Sequence, residues 1–321
     1  MLSRLHIEER YTVISKDILH TPLVFSPVLS SISGASVYLK MEHLQYTGSF
    51  KLRGILSKLS TLRKEDFKLT FVAASTGNHA AAFAYASEKF GFKGVLFLPK
   101  DVKKSKVKAI EHYPIEKIFF GNSSMETEKK ATDHAREIGG ILIHPYNDIE
   151  IIKGQGTLGI EILQDLPDVD AILAPVGGGG LISGLCSYFS EDSSVDIIGC
   201  QPVNASEMYD SVKNNLIVAP STLNTISDAT AGGIEADALS YHICKEYISG
   251  FELSTEEEIK KAIPFTIKYH HTLIEPSSAL PIASILNSKK YAGKKVVLIL
   301  TGGKIDINLL RTVLDEYSNH Y

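Results

Sequence analysis

The sequence predicts an α/β protein built on parallel sheet. Three observations carry this: short β-branched or aromatic runs alternate with longer helix-like stretches, those stretches have start and stop signals, and glycine or small-residue clusters fall where the predicted strands end. The strand-like runs are Val37 to Met41, Leu69 to Ala74, Val95 to Leu98, Ile118 to Phe120, Ile141 to Ile143, Ala171 to Val176, Asp196 to Cys200 and Lys295 to Leu300. Among the helix-like stretches, Asn78 to Phe90 is alanine-rich and stops at Gly91, and Met125 to Ile138 stops at Gly139-Gly140. Ser254 to His271 opens on Ser-Thr-Glu-Glu-Glu. No repeat, low-complexity tract or Pro/Gly/Ser-rich linker interrupts the chain, so any domain division runs through compact structure.

Composition narrows the function classes. With 321 residues, 44% hydrophobic and 22% charged, the chain can bury a substantial core. A net charge of -4 offers no surplus of cations for a phosphodiester backbone, which argues against nucleic acid as a partner. Cys186, Cys200 and Cys244 are odd in number and lack metal-ligand spacing, which speaks against disulfides and zinc and fits a reducing cytoplasm. No segment has the length of uninterrupted apolar residues that a membrane span needs, and the charged N-terminus does not resemble a secretion signal.

Four clusters hold the candidate chemistry. In Tyr46-Thr47-Gly48-Ser49-Phe50-Lys51-Leu52-Arg53-Gly54, a lysine sits between Phe50 and Leu52 at a turn into a helix. Apolar surroundings disfavour the ammonium and would make Lys51 the nucleophile needed for an imine. The same residues also suit a surface lysine lying along apolar neighbours. Ser75-Thr76-Gly77-Asn78-His79 follows a strand and begins a helix, so its N–H groups suit a carboxylate, although a simple N-cap accounts for the pattern as well. Four consecutive glycines, Gly177 to Gly180, precede Leu181 and open a helix after Val176. Such a run makes sense as a phosphate cup, with a flexible turn as the alternative, and it matches neither dinucleotide nor Walker spacing. Thr301-Gly302-Gly303-Lys304 ends the last strand, where Thr301 offers a neutral hydroxyl or merely begins a turn. Glu275, at a predicted helix start, serves either the site or a cap.

Taken in order, Ser49-Phe50-Lys51-Leu52-Arg53-Gly54, Ser75-Thr76-Gly77-Asn78-His79, Gly177 to Gly180 and Thr301-Gly302-Gly303 resemble the threonine dehydratase and serine racemase family across nearly the whole chain. His20-Thr21-Pro22-Leu23, Tyr38-Leu39-Lys40-Met41-Glu42, Gly154-Gln155-Gly156-Thr157 and Ile274-Glu275-Pro276 add to the match. The resemblance implies a two-domain α/β architecture like the tryptophan synthase β-subunit, fold type II of the pyridoxal-phosphate enzymes, with parallel-rich sheets flanked by helices. Residues 1–52 and 147–321 would form the large cofactor-binding domain and 53–146 a smaller inserted one.

By the same resemblance Lys51 is the Schiff-base lysine and the base for the α-proton, with Phe50 beside it, and Asn78 bonds the cofactor's ring hydroxyl. Gly177, Gly178, Gly179, Gly180 and Leu181 bind its phosphate and Thr301 faces its pyridine nitrogen. Ser75, Asn78 and His79 lie near the substrate carboxylate. The implied activity is dehydration of L-threonine, L-serine or a related β-hydroxy amino acid to a 2-keto acid and ammonia. A serine or aspartate racemase and a threo-3-hydroxyaspartate dehydratase are the alternatives, and a homodimer is expected.

Three departures matter. Thr76 stands where racemases have serine and dehydratases typically alanine, so its hydroxyl is a candidate second proton-transfer group. Gln201 replaces the glutamate of a metal-binding segment before Glu207, so no metal site is expected. Lys304 occupies the usual place of an asparagine. The short stretch after Thr301 leads to the expectation of no C-terminal regulatory domain and no feedback by isoleucine.

Overall fold

The computed structural model describes residues 2–192 and 194–317, and within them ten strands form two sheets. They are β1 (Leu23–Phe25), β2 (Ser36–Lys40), β3 (Thr70–Ala74), β4 (Lys93–Leu98), β5 (Glu116–Phe119), β6 (Ile141–Leu142), β7 (Ala171–Pro175), β8 (Asp196–Pro202), β9 (Gly250–Ser254) and β10 (Lys295–Ile299). One sheet has the order β1-β2-β10-β7-β8-β9, and all its pairs are parallel except β1 with β2. The other has the order β5-β4-β3-β6 and is parallel throughout.

Parallel strands covered on both faces read as continuous apolar runs, and their alternate side chains feed two different cores. β7 sends Ile172 and Ala174 to one core and Ala171 and Leu173 to the other; β10 divides Val297 and Ile299 from Val296 and Leu298 in the same way. In the smaller sheet β3 separates Phe71 and Ala73 from Val72 and Ala74. All eight strand-like runs of the sequence appear, as does the helix Asn78–Phe90, ended by Gly91 at φ 69°. The run beginning at Ser254 divides: Ser254 closes β9, and Thr255 caps the helix Glu256–His270 reciprocally with Glu258. β1 and β9 are edge strands: β1 is apolar but only three residues long and partly exposed, and β9 is interrupted by Glu252.

The four strands of the smaller sheet lie between residues 70 and 142, those of the larger one outside that range. On this partition we propose the division into 1–52 with 147–321 and an inserted 53–146.

Helix Ile149–Asp165 joins the parts. Gly154 faces Gly54 of helix Lys51–Leu59 so closely that a Cβ on Gly154 would stand 2.6 Å from the Gly54 Cα. Two residues on, on the other side of the helix, a Cβ on Gly156 would stand 2.8 Å from the carbonyl oxygen of Gly184 in helix Gly180–Phe189. Two helices that begin at the cavity described below are thus seated on one central helix.

Arg53 locks the first of these crossings. Its guanidinium is fully buried and grips two carboxylates, Nε and Nη2 bonding Glu42 at 2.8 Å each, and Nη1 and Nη2 bonding Glu161 at 2.7 and 2.8 Å. Lys40 adds a buried ion pair to Glu161 at 2.8 Å and donates to the Thr21 carbonyl at 2.6 Å. Burial alone would raise the Glu161 carboxyl, but Arg53 and Lys40 hold it below its ordinary range. Removing one partner of a buried network strands the others: Arg53→Met is expected to lower stability in urea unfolding by ~3–5 kcal/mol. A loss under ~1 kcal/mol would show that the clamp does not brace the fold.

Candidate active site

Lys51 is the first residue of helix Lys51–Leu59, and the turn before it is stitched to the loop after β10. Phe50 N–H donates to the Thr301 carbonyl at 3.1 Å and Gly303 N–H to the Gly48 carbonyl at 3.2 Å, with Ser49 and Gly302 forming an isolated antiparallel bridge. Gly48 makes the turn at φ 72°, a conformation that costs glycine little. The amine is held in place by donation to the Pro145 carbonyl at 2.8 Å, and its Nζ lies 5.2 Å from the centre of the Phe50 ring. Burial lowers the Lys51 pKa to about 8 against the opposing pull of Glu128 and Glu275.

Lys51 opens into a cavity of about 1060 Å³. From the smaller sheet come Ser75, Thr76, Asn78 and His79, which follow the end of β3. From the larger come Gly177 to Gly180 with Leu181 after β7, and Thr301 after β10. Every site residue expected from the sequence therefore borders one space. The reason is topological: parallel strands point their C-terminal ends, and the helix N-termini that follow, toward the same place.

The glycine run contributes backbone. Gly179 is the N-cap of helix Gly180–Phe189 at φ 89°, and the first N–H groups of a helix have no intrahelical acceptor, which makes this end a site for an anion. Gly178 lies under the Tyr146 ring, whose Cε1 would be 2.5 Å from an added Cβ. Gly177 and Gly180 likewise leave only 3.0 and 3.1 Å to Thr230 Cα and Tyr146 Cα. Close approach of Tyr146 and Thr230 thus needs glycine here, beyond any flexibility.

Asn78 and Thr301 sit in hydrogen-bonded settings. Asn78 Nδ2 donates to Glu275 Oε1 at 2.7 Å, and Ser277 Oγ donates to the same oxygen at 2.7 Å. Glu275 precedes helix Pro276–Leu286 but makes no side-chain cap, so its carboxylate belongs to the cavity. Burial raises its pKa, offset by bonds from Ser277 and Asn78. Thr301 Oγ1 lies 3.1 Å from Ser278 Oγ in the first turn of that helix.

The His79 ring turns to the backbone. Nε2 donates to the Ile143 carbonyl at 2.8 Å, and burial, Lys51 and His144 together lower its pKa to about 3. The ring is neutral and engaged, leaving the backbone N–H as its means of meeting a carboxylate. Thr76 Oγ1 is 3.5 Å from Lys106 Nζ, which pairs with Asp228 at 2.5 Å.

Sequence reasoning missed Glu128, which also borders the cavity. Burial pushes its carboxyl up to about 7, with His144 opposing and Glu235 reinforcing the rise. His144 donates to Glu235 Oε1 at 3.0 Å while its Nδ1 accepts from Asn147 N–H at 2.7 Å. Gln201, the departure noted above, accepts from Tyr209 N–H at 2.9 Å and donates to the Val176 carbonyl at 3.1 Å. Glu207 Oε1 accepts from Ser221 N–H at 2.9 Å, and among the described residues no group of three or more His, Cys, Asp and Glu could hold a metal ion.

Only the neutral amine attacks an aldehyde. The apoprotein is therefore expected to label at Lys51 with a rate that rises through a midpoint near pH 8 and is lost below it. A midpoint near that of an exposed lysine, read by peptide mass spectrometry across the pH series, would contradict the desolvation argued above.

Comparison with known proteins agrees with this geometry. Over 317 residues the chain is 35% identical to an L-threonine ammonia-lyase of Thermotoga maritima, covering 98% of this chain and 79% of that protein. It superposes on a serine racemase from Dictyostelium discoideum with TM-score 0.88 at 32% identity, covering 95% and 99% of the two chains. The processed form of threonine deaminase isoform 2 from Solanum lycopersicum matches with TM-score 0.90 at 29% identity, covering 97% and 87%. The family model for pyridoxal-phosphate dependent enzymes matches residues 14–302, so Lys51, the glycine run and Thr301 all fall within it, and the chain belongs to that family.

Proposed function

We propose that this protein is a threonine/serine ammonia-lyase that converts L-threonine, L-serine or a related β-hydroxy amino acid to a 2-keto acid and ammonia. The observation that carries this reading is the convergence on one cavity of a desolvated lysine, a glycine-built helix N-terminus and the neutral hydroxyl of Thr301 just after β10. The relatives named as threonine ammonia-lyase and threonine deaminase support it.

The residues present fit the cofactor. Gly177 to Leu181 would hold its phosphate with main-chain donors, Lys51 its aldehyde carbon, Asn78 its ring hydroxyl, and Thr301, with Ser278 beside it, its ring nitrogen. When bound, pyridoxal phosphate supplies an electron sink that makes the substrate α-proton acidic. A hydroxyl facing the ring nitrogen, in place of a carboxylate, stabilises protonation there weakly, a setting that favours loss of the β-substituent.

The chain's own groups divide the remaining work. Lys51 Nζ, neutral in a substantial fraction near its pKa of about 8, takes the α-proton. Ser75 and the N–H groups that open helix Asn78–Phe90 receive the substrate carboxylate. Glu128, whose carboxyl burial pushes up to about 7, stands in the cavity wall as a group able to hold a proton near neutral pH. The buried, free state of Cys186, Cys200 and Cys244 supports a reducing, cytoplasmic setting, and the family resemblance supports a homodimer.

A second reading, amino-acid racemase, is favoured by the hydroxyl of Thr76 at the cavity wall and by the serine racemase likeness. One experiment separates the two. With L-threonine and L-serine the protein is expected to release keto acid and ammonia, and Thr76→Ala is expected to retain most of that rate. If chiral analysis finds D-serine from L-serine, or D-allothreonine from L-threonine, as main product, and Thr76→Ala abolishes it, the racemase reading replaces the lyase.

A further inference from the structure

We propose that Lys304 is a positioning residue that fixes the side-chain amide of Asn78, so that one N–H of Nδ2 is presented to the cofactor; the inference rests on the cavity being the pyridoxal-phosphate site. Lys304 borders the cavity, and its ammonium donates to the Thr47 carbonyl and lies 3.4 Å from Asn78 Oδ1. An ammonium only donates and an ionised carboxylate only accepts. With Lys304 on the oxygen of Asn78 and Glu275 Oε1 2.7 Å from its nitrogen, a flipped amide would set donor against donor and acceptor against acceptor. One Nδ2 hydrogen is taken by Glu275, and the other is left pointing to a set place.

The surrounding backbone is shaped for this arrangement. A Cβ on Gly302 would lie 2.6 Å from Glu275 Oε1 and 2.8 Å from Asn78 Nδ2, so only glycine lets the two come together there. Burial lowers the Lys304 pKa while Glu275 opposes the shift, so the two ends of the bracket favour each other's charged forms. The same ammonium reaches three segments at once: the turn before Lys51 through Thr47, the start of helix Asn78–Phe90 through Asn78, and its own loop after β10.

The test measures affinity of the apoprotein for pyridoxal phosphate by absorbance titration, independently of turnover. Lys304→Met is expected to weaken binding about tenfold, as for loss of a charge-assisted hydrogen bond. The double variant with Asn78→Ala is expected to bind no worse than Asn78→Ala alone, because Lys304 acts through Asn78. Lys304→Cys is expected to regain affinity on aminoethylation, which restores an ammonium within the same folded protein; Cys186, Cys200 and Cys244 are buried away from the reagent. Unchanged affinity in Lys304→Met, full additivity with Asn78→Ala, or no gain on aminoethylation overturns the proposal. Failure of the parent protein to bind the cofactor would instead overturn the reading of the cavity on which it rests.

Discussion

The buried fork of Arg53 between Glu42 and Glu161 is the contact on which the site most depends. Arg53 lies two residues beyond Lys51 in the first turn of the same helix, so fixing the guanidinium fixes the direction in which the reactive amine leaves the backbone. Two carboxylates, Lys40 and the Thr21 hydroxyl on Glu42 satisfy one another in a region without water access, a geometry that tolerates little displacement. Gly54 against Gly154 removes the side-chain bulk that would otherwise hold the two helices apart. Clamp and close crossing are complementary: one supplies direction, the other distance.

The cavity chemistry then follows from topology and desolvation. β3, β7 and β10 are each followed by residues that border the cavity. Lys51 is drawn down toward neutrality and Glu128 upward to about 7, so an amine base and a carboxyl acid share one space near neutral pH. Both shifts have burial as their largest cause, which means that the cavity walls tune the chemistry as much as the charged neighbours do. Tyr146, packed over the glycine run and bonded through its hydroxyl to the Glu235 N–H, links the anion end of the cavity to the His144–Glu235 pair.

Much of this was legible in the sequence because it is encoded locally. Strands buried on both faces are continuous apolar runs, and the glycine run and Gly91 are backbone requirements written at single positions. Edge strand β1 was hidden because it is only three residues long, and β9 because Glu252 interrupts its apolar residues. Glu128, His144 and Glu235 come from separate segments with no shared pattern, and only folding places them within reach of one another and of Lys51. The ring of His79 illustrates the same limit, since a motif can bring a residue to the cavity without saying where its side chain points. Gly154-Gln155-Gly156-Thr157 entered as a family match and proves to be the packing seam of the central helix.

The central claim is that, of the lysines bordering the cavity, Lys51 alone carries the cofactor. Borohydride reduction of the holoenzyme followed by peptide mass spectrometry tests this most directly, because reduction makes the attachment permanent before the chain is cut. A single phosphopyridoxyl group on the peptide containing Lys51, absent from Lys51→Ala, is the predicted result. Label on Lys304 or Lys106 in the parent protein, or no label on any lysine, would contradict the account.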